Sequence, residues 1–399
     1  MKALPIRFLQ YLPVVFMLTM LITCSSCNNY PPEGLQNTID VISEKWVPDQ
    51  REGVAEIFIA RADNNSIILK GETDCLQFKN EVIDSVSARG FTIIDSVLVL
   101  PGNDVGDKTY GVVIMSVINL RQKPAHSEEL VSQSIMGTPV RILKNTGYWM
   151  LIQTPDNYIA WTEAGSVQLM TESEFKEWKE SEKVIFIDNS GWIYENIKEE
   201  GVVGDVVAGC ILKSDGRKGS FEKVILADGR EGYLKSKAVR EYKKWINELK
   251  PSGRELYRVA SSLMGLPYLW GGRSAKGVDC SGFVQTVYFM NGIILSRDAS
   301  LQALHGNEVD ISNGWNNLET GDLLFFGSVR NSKPRVTHVA IYKGDSEFIN
   351  SAGMVKVNSL DSTRINFSSY RKNTLLSARR IIGSVGTTGI TAIKDHHWY

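Results

Sequence analysis

Three residues far apart in the chain have the types that acyl-transfer chemistry needs: Cys280, His338 and Asn350. Cys280 stands just before an apolar run, Phe283, Val284, Val287 and Tyr288, that recurs at the spacing of one helical face. That places it at a helix N-terminus, where unpaired N–H groups and the positive end of the dipole favour thiolate over thiol. On this stretch alone, a small hydrophobe filling a core is an equal reading. His338 lies in Val336–Tyr342, β-branched and apolar, which reads as a strand. A Lys343-Gly344-Asp345 turn leads to a second strand carrying Asn350, so the amide can lie beside the imidazole and orient it. A lone strand histidine is commonly structural. Nucleophile, base and orienting polar residue together have the logic of a Cys-His-Asn site.

Other elements must hold these groups. Ser252-Gly-Arg-Glu255 fits a capping box opening a helix whose buried face is Leu256, Val259, Ala260, Leu263 and Met264, with Gly265 as its stop. This helix should pack on the Cys280 helix and fix the strap carrying Tyr268, Trp270 and Gly271-Gly272. Trp270 is expected in the core. The glycine pair is no phosphate loop, since no strand precedes it and no helix directly follows.

Tyr268-Leu-Trp270-Gly271-Gly272, Asp279-Cys280-Ser281-Gly282-Phe283, Gly321-Asp322-Leu-Leu-Phe325-Phe326-Gly327 and His338-Val-Ala-Ile-Tyr342 occur in that order. The set resembles the NlpC/P60 cysteine peptidases, over about residues 251–383. The resemblance implies an α+β, papain-like catalytic domain acting on peptidoglycan stem peptides. The family's third polar position is often histidine; here Asn350 stands there.

The middle of the chain carries an internal repeat at an offset of 72. Trp149–Trp161 and Phe221–Tyr233 each place two short strands around Asp156-Asn157 or Asp228-Gly229 and close with an aromatic. They look like two bacterial SH3-type β-barrels, over 109–170 and 183–238, with the charged segment Thr171–Lys183 between them. Before them, 28–108 reads as a polar tether to about residue 50 and then a small β-β-α-β unit. Its helix shows Leu76, Val82, Ile83 and Val86 on one face. Residues 384–399 read as a C-terminal tail.

The chain opens with Lys2 and Arg7, an apolar run from Phe8 to Thr23, and Cys24-Ser25-Ser26-Cys27. This is a signal peptide by its short run and small residues, with a lipobox-like end that would acylate Cys27 or Cys24. The protein is therefore expected to be exported and lipid-anchored in the cell envelope, touching the membrane only through that anchor. With 44 basic and 45 acidic residues, net charge is −1, which points away from nucleic acid. Of the remaining cysteines, Cys75 and Cys210 fall in different predicted domains and are expected reduced and buried.

Two SH3-like modules before an NlpC/P60 domain resemble the subgroup that cuts after γ-D-glutamate in peptides with a free N-terminal L-alanine. The resemblance assigns substrate contacts to Tyr268, Asp279 and Ser281, with Glu129 and Tyr158 of the first barrel matching the subgroup's acid and tyrosine. Plainer readings exist for each: a helix cap for Asp279, barrel core for Tyr158 and a solvated charge for Glu129, with Glu128 as its competitor. The implied reaction is hydrolysis of the γ-D-glutamyl–diamino acid bond, releasing L-Ala-γ-D-Glu for murein recycling. It starts from a Cys280 thiolate paired with a His338 imidazolium and calls for no metal or cofactor. The competing readings are an endopeptidase or amidase of intact wall, with the barrels as wall-binding modules, and a silent wall-binding lipoprotein. The third-position residue, diaminopimelate or lysine, stays open.

Overall fold

The computed structural model describes residues 34–62 and 65–399, so the stretch expected to be a signal peptide, with Cys24 and Cys27, falls outside the described residues. The first element is a helix, Leu35–Trp46, in the stretch expected to be a tether. Its composition is polar, but Leu35, Ile39 and Ile42 form a narrow apolar stripe that is buried. It joins a three-stranded sheet ordered Ala55–Ala62, Ser66–Thr73, Thr92–Val99. The first pair is antiparallel and the second parallel, linked by the helix Leu76–Ser87. That helix buries Phe78, Val82 and Val86; Leu76, expected inside, is exposed at its N-terminus. Cys75 caps this helix, half-buried rather than buried, while Cys210 is buried; both are free.

Two seven-stranded antiparallel sheets follow. The first runs Val167–Met170, Tyr110–Val113, Pro139–Asn145, Trp149–Gln153, Ile159–Glu163, Val117–Arg121, Leu130–Ile135. The second repeats that order as Val239–Glu241, Lys183–Phe186, Ile211–Lys218, Phe221–Ile225, Glu231–Lys235, Ser190–Tyr194, Val202–Val207. Each curls around its own apolar core. The intervening charged segment is a helix, Glu172–Glu180, with a full capping box at Thr171 and Glu174.

The C-terminal part is a six-stranded antiparallel sheet: Asn307–Val309, Leu375–Arg380, Leu323–Arg330, Lys333–Gly344, Glu347–Ala352, Met354–Ser359. The helices Gly253–Ser262 and Cys280–Phe289 share its core through Leu256, Val259, Phe283, Val284 and Val287. Half of the expected capping box forms: Ser252 Oγ accepts from the Glu255 N–H at 3.3 Å, while the Glu255 carboxylate turns to Arg258 instead. The expected tail is part of the fold. Ile390–Ala392 pairs with Ile293–Leu295, and Trp398 packs on Phe175 and Trp178 between the SH3-like sheets.

Candidate active site

Cys280 is the first residue of its helix, so its N–H has no partner within it. The strap from Tyr268 to Gly272 crosses this helix start. Gly272 O accepts from the Asp279 N–H at 3.0 Å, and a Cβ on Gly282 would lie 2.0 Å from that same oxygen. Glycine at 282 is thus a requirement of close approach. Asp279 caps the helix, accepting from Gly282 N at 2.6 Å and from Gly271 N at 3.0 Å.

His338 follows from strand register. Ile341 lies opposite Ile349, so His338 and Asn350 are diagonal neighbours on one face. Asn350 Nδ2 donates to Lys356 O and Asn358 Oδ1, which turns its Oδ1 toward the imidazole, 2.9 Å from His338 Nε2. An amide oxygen only accepts, so Nε2 carries the proton and Nδ1 keeps its lone pair. Cys280 and Val339, the residue next to His338, share one core cluster, which brings the thiol against this strand.

The electrostatics run against the expectation of a preformed ion pair. Burial, then the charge of Asp279, pushes the Cys280 thiol up to about 11, against the N–H groups of Val339 and Ser281. Burial and the positive charge of Arg371 push His338 down to about 3. Desolvation thus works against the ion pair and toward thiol with neutral imidazole, opposing the helix terminus. A neutral imidazole with a free Nδ1 lone pair has the chemistry of a general base.

A cavity of about 670 Å³ opens at the nucleophile, lined by Cys280, Ser281, Tyr268, Trp270, Glu129, Tyr158, Asp298 and Arg51 among others. Glu129 and Tyr158 of the first SH3-like sheet therefore share one cavity with Tyr268, Asp279 and Ser281 of the C-terminal part. Trp270 is not in the core: it is 61% exposed at the cavity, and its Nε1 donates to Glu129 Oε1 at 2.8 Å. Tyr268 is pushed up to about 12 by burial and by the charges of Cys280 and Asp279, so its hydroxyl is a donor at neutral pH.

Against this geometry, two family models match. Residues 265–380 match the NlpC/P60 family, and residues 120–166 match the bacterial dipeptidyl-peptidase Sh3 domain. The chain carries an NlpC/P60 domain. It is 29% identical to the gamma-D-glutamyl-L-lysine dipeptidyl-peptidase of Bacillus cereus, over 57% of this chain and 68% of that protein. To dipeptidyl-peptidase 6 of Lysinibacillus sphaericus it is 28% identical, over 63% of this chain and 91% of that protein. The crystal structure of an NlpC/P60 family protein from Bacillus cereus shares the fold, with a TM-score of 0.57 and 23% identity over 68% of this chain and 99% of that one.

The NlpC/P60 domain also holds residues that sequence reasoning missed. Arg297 is fully buried, bonds Asp279 through Nη2 at 2.5 Å, and reaches Ser281 Oγ at 2.9 Å and Ser132 Oγ of the first SH3-like sheet at 2.9 Å. Burial alone would disfavour its charge; Asp279 more than offsets this and raises its pKa. The Asp279 carboxylate is thus occupied by a cap and an arginine, not held ready for a substrate cation. Asp298, next along, does line the cavity, and burial raises its pKa against the pull of Arg297 and Arg51. Arg371, over the Phe326 ring at 5.4 Å, supplies the positive charge that His338 feels. Ser296-Arg297-Asp298 was a visible polar triplet after an apolar run, yet its partners lie in distant segments.

Proposed function

We propose that the chain is a cysteine peptidase that hydrolyses the γ-D-glutamyl–diamino acid bond of peptidoglycan stem peptides bearing a free N-terminal L-alanine. The observation that carries this is the single cavity with a thiol and three acceptor groups, Asp298, Glu129 and the Tyr158 hydroxyl, contributed by two domains. A desolvated ammonium needs paired carboxylates, and acids at this site suit a cationic end of a substrate. The names of the two relatives, both dipeptidyl-peptidases, support a bond two residues from that end. The first SH3-like sheet, on this reading, shapes the substrate site rather than anchoring the protein to intact wall.

In the reaction, His338 Nδ1 takes the Cys280 proton as sulfur attacks the γ-glutamyl carbonyl carbon. The oxyanion is met by the Cys280 N–H, with the Tyr268 hydroxyl as second donor. His338 then protonates the departing amine, and water hydrolyses the thioester with His338 again as base, releasing L-Ala-γ-D-Glu and restoring the thiol. Asn350 keeps Nε2 protonated throughout, so that Nδ1 remains the working nitrogen. The product would enter murein recycling. Export with lipidation at Cys27 or Cys24 places the enzyme in the envelope, which metabolic labelling with a clickable fatty acid in Cys27→Ala and Cys24→Ala variants would test. The activity is tested by incubating L-Ala-γ-D-Glu-diaminopimelate and its lysine counterpart with the mature protein and reading product masses, with Cys280→Ala as blank. Release of L-Ala-γ-D-Glu is expected; cleavage at another bond, or persistence in the blank, overturns the reading.

A further inference from the structure

The residue 49–53 loop of the N-terminal unit reaches the cleft, although neither family match extends to residues 34–100. It is seated by main-chain and side-chain bonds. Ile159, next to Tyr158, donates its N–H to Arg51 O at 2.8 Å, and Gln153 Nε2 of the first SH3-like sheet donates to Glu52 O at 3.5 Å. Arg51 lines the cavity. Its Nε and Nη2 fork onto Asp49 at 2.8 and 2.5 Å, leaving Nη1 to reach Asp298 Oδ2 at 2.7 Å and Ser300 Oγ at 3.3 Å.

Two features distinguish this from a surface ion pair. Asp49 fixes the guanidinium in one orientation, since a planar fork on a carboxylate sets direction as well as distance. Arg51 also takes one oxygen of Asp298 only; among the hydrogen bonds of the described residues, Oδ1 accepts none, and the Asp298 side chain does not cap its own helix. The trio Asp49, Arg51 and Asp298 keeps one net negative charge, so Arg51 orients Asp298 without cancelling its attraction for an ammonium.

We propose that the N-terminal unit is a third wall of the substrate site and that Arg51 is a positioning residue, turning Asp298 so that its free oxygen meets the substrate's α-ammonium. An acylated amine brings no charge to balance the trio and places its substituent against the guanidinium. Arg51 thereby contributes to selection of free amino ends. This rests on the reading under Proposed function.

The test compares kcat and KM of wild type, Arg51→Gln and Arg51→Lys on L-Ala-γ-D-Glu-diaminopimelate and on the same peptide N-acetylated, with melting temperatures measured alongside. Wild type should favour the free peptide. Arg51→Gln should lose about tenfold or more in kcat/KM on it, through KM, as expected for one charge-assisted bond. The ratio of free to acetylated rates should fall with it. Arg51→Lys, which keeps the charge but not the fork, should recover part of both. An unchanged ratio in Arg51→Gln, whatever its melting temperature, would reduce Arg51 to a structural clip, and a gain in kcat/KM would make it a plug; either result overturns the proposal. A wild type that cleaves both peptides equally removes the functional reading itself, and is distinguished by needing no variant.

Discussion

In the first SH3-like sheet the Asp156-Asn157 turn ends at Tyr158, which faces the cleft. Seventy-two residues on, in the second, the Asp228-Gly229 turn ends at Arg230. Both turns use a left-handed residue, Asn157 at φ 65° and Gly229 at φ 89°, so the backbone is built alike. The side chains part company. Asp156 is buried and accepts from Gln285 Nε2 of the nucleophile helix at 2.7 Å, whereas Asp228 pairs with its own neighbour, Arg230, at 2.7 Å. The strand-linking loops differ likewise: Glu129 meets Trp270 of the cleft strap, but Glu199 meets Lys235 within its own sheet. One scaffold thus serves as a wall of the site and the other as support behind it. What decides is the surface each docks, not the fold of the module.

The largest effect expected from breaking this asymmetry is on stability. Arg297 joins the first sheet to the nucleophile helix, with 1% of its side chain exposed, and its loss leaves Asp279 buried and unpaired. Arg297→Met should cost about 3–5 kcal/mol in urea denaturation. Lys235→Met, which removes an exposed pair inside the second sheet, should leave the urea midpoint nearly unchanged. Equal costs would mean that the two sheets are docked alike.

Next comes Glu129→Gln, which should lower kcat/KM on the free-amine peptide by about 10–100-fold, since it removes a charged acceptor. Glu199→Gln should leave activity unchanged. Smaller still, Tyr158→Phe should cost about two- to tenfold, the worth of one neutral hydrogen bond, while Arg230→Ala should cost nothing in turnover. A loss at Arg230 comparable to that at Tyr158 would put both sheets on the substrate path.

The pH profile sharpens the contrast between nucleophile and recognition groups. With His338 held near 3 and Cys280 near 11, the free enzyme's neutral pair persists across the working range. The kcat/KM curve should therefore lack a limb at about 6.5, an ordinary imidazole. On the alkaline side it should fall near about 8, as the substrate's α-amine loses its proton. On the acid side it should fall as Asp298, whose pKa is raised, gains one and loses its hold on the ammonium. Arg371→Gln removes a positive charge beside His338 and should raise the imidazole pKa. An acid limb near about 6.5 that persists in Asp298→Asn would contradict a buried neutral base.

Much of the site was legible because local periodicity carries it. Cys280 precedes a 3.6-residue apolar repeat, and His338 and Asn350 lie on either side of a tight turn between two short strand-like runs, so neither placement needs tertiary information. The recognition groups were harder to read. Asp279 reads in sequence as a helix cap or a substrate acid, and the arginine that occupies it comes from 18 residues on. Trp270 has the composition of a core residue, and its exposure follows from Glu129 across a domain boundary. The helix Leu35–Trp46 was hidden by a polar surface over a stripe of three buried residues. Arg51 meets Asp298 across 247 positions, a separation that no local pattern spans.

The most direct test of the account is the ratio of kcat/KM for L-Ala-γ-D-Glu-diaminopimelate to that for its N-acetylated form, measured on the wild-type protein. The acid-walled cleft predicts a ratio of about 100 or more, the loss of a charge-assisted contact from a desolvated site. A ratio near one would contradict it, and would leave Glu129, Tyr158 and Asp298 as a wall that reads no charge.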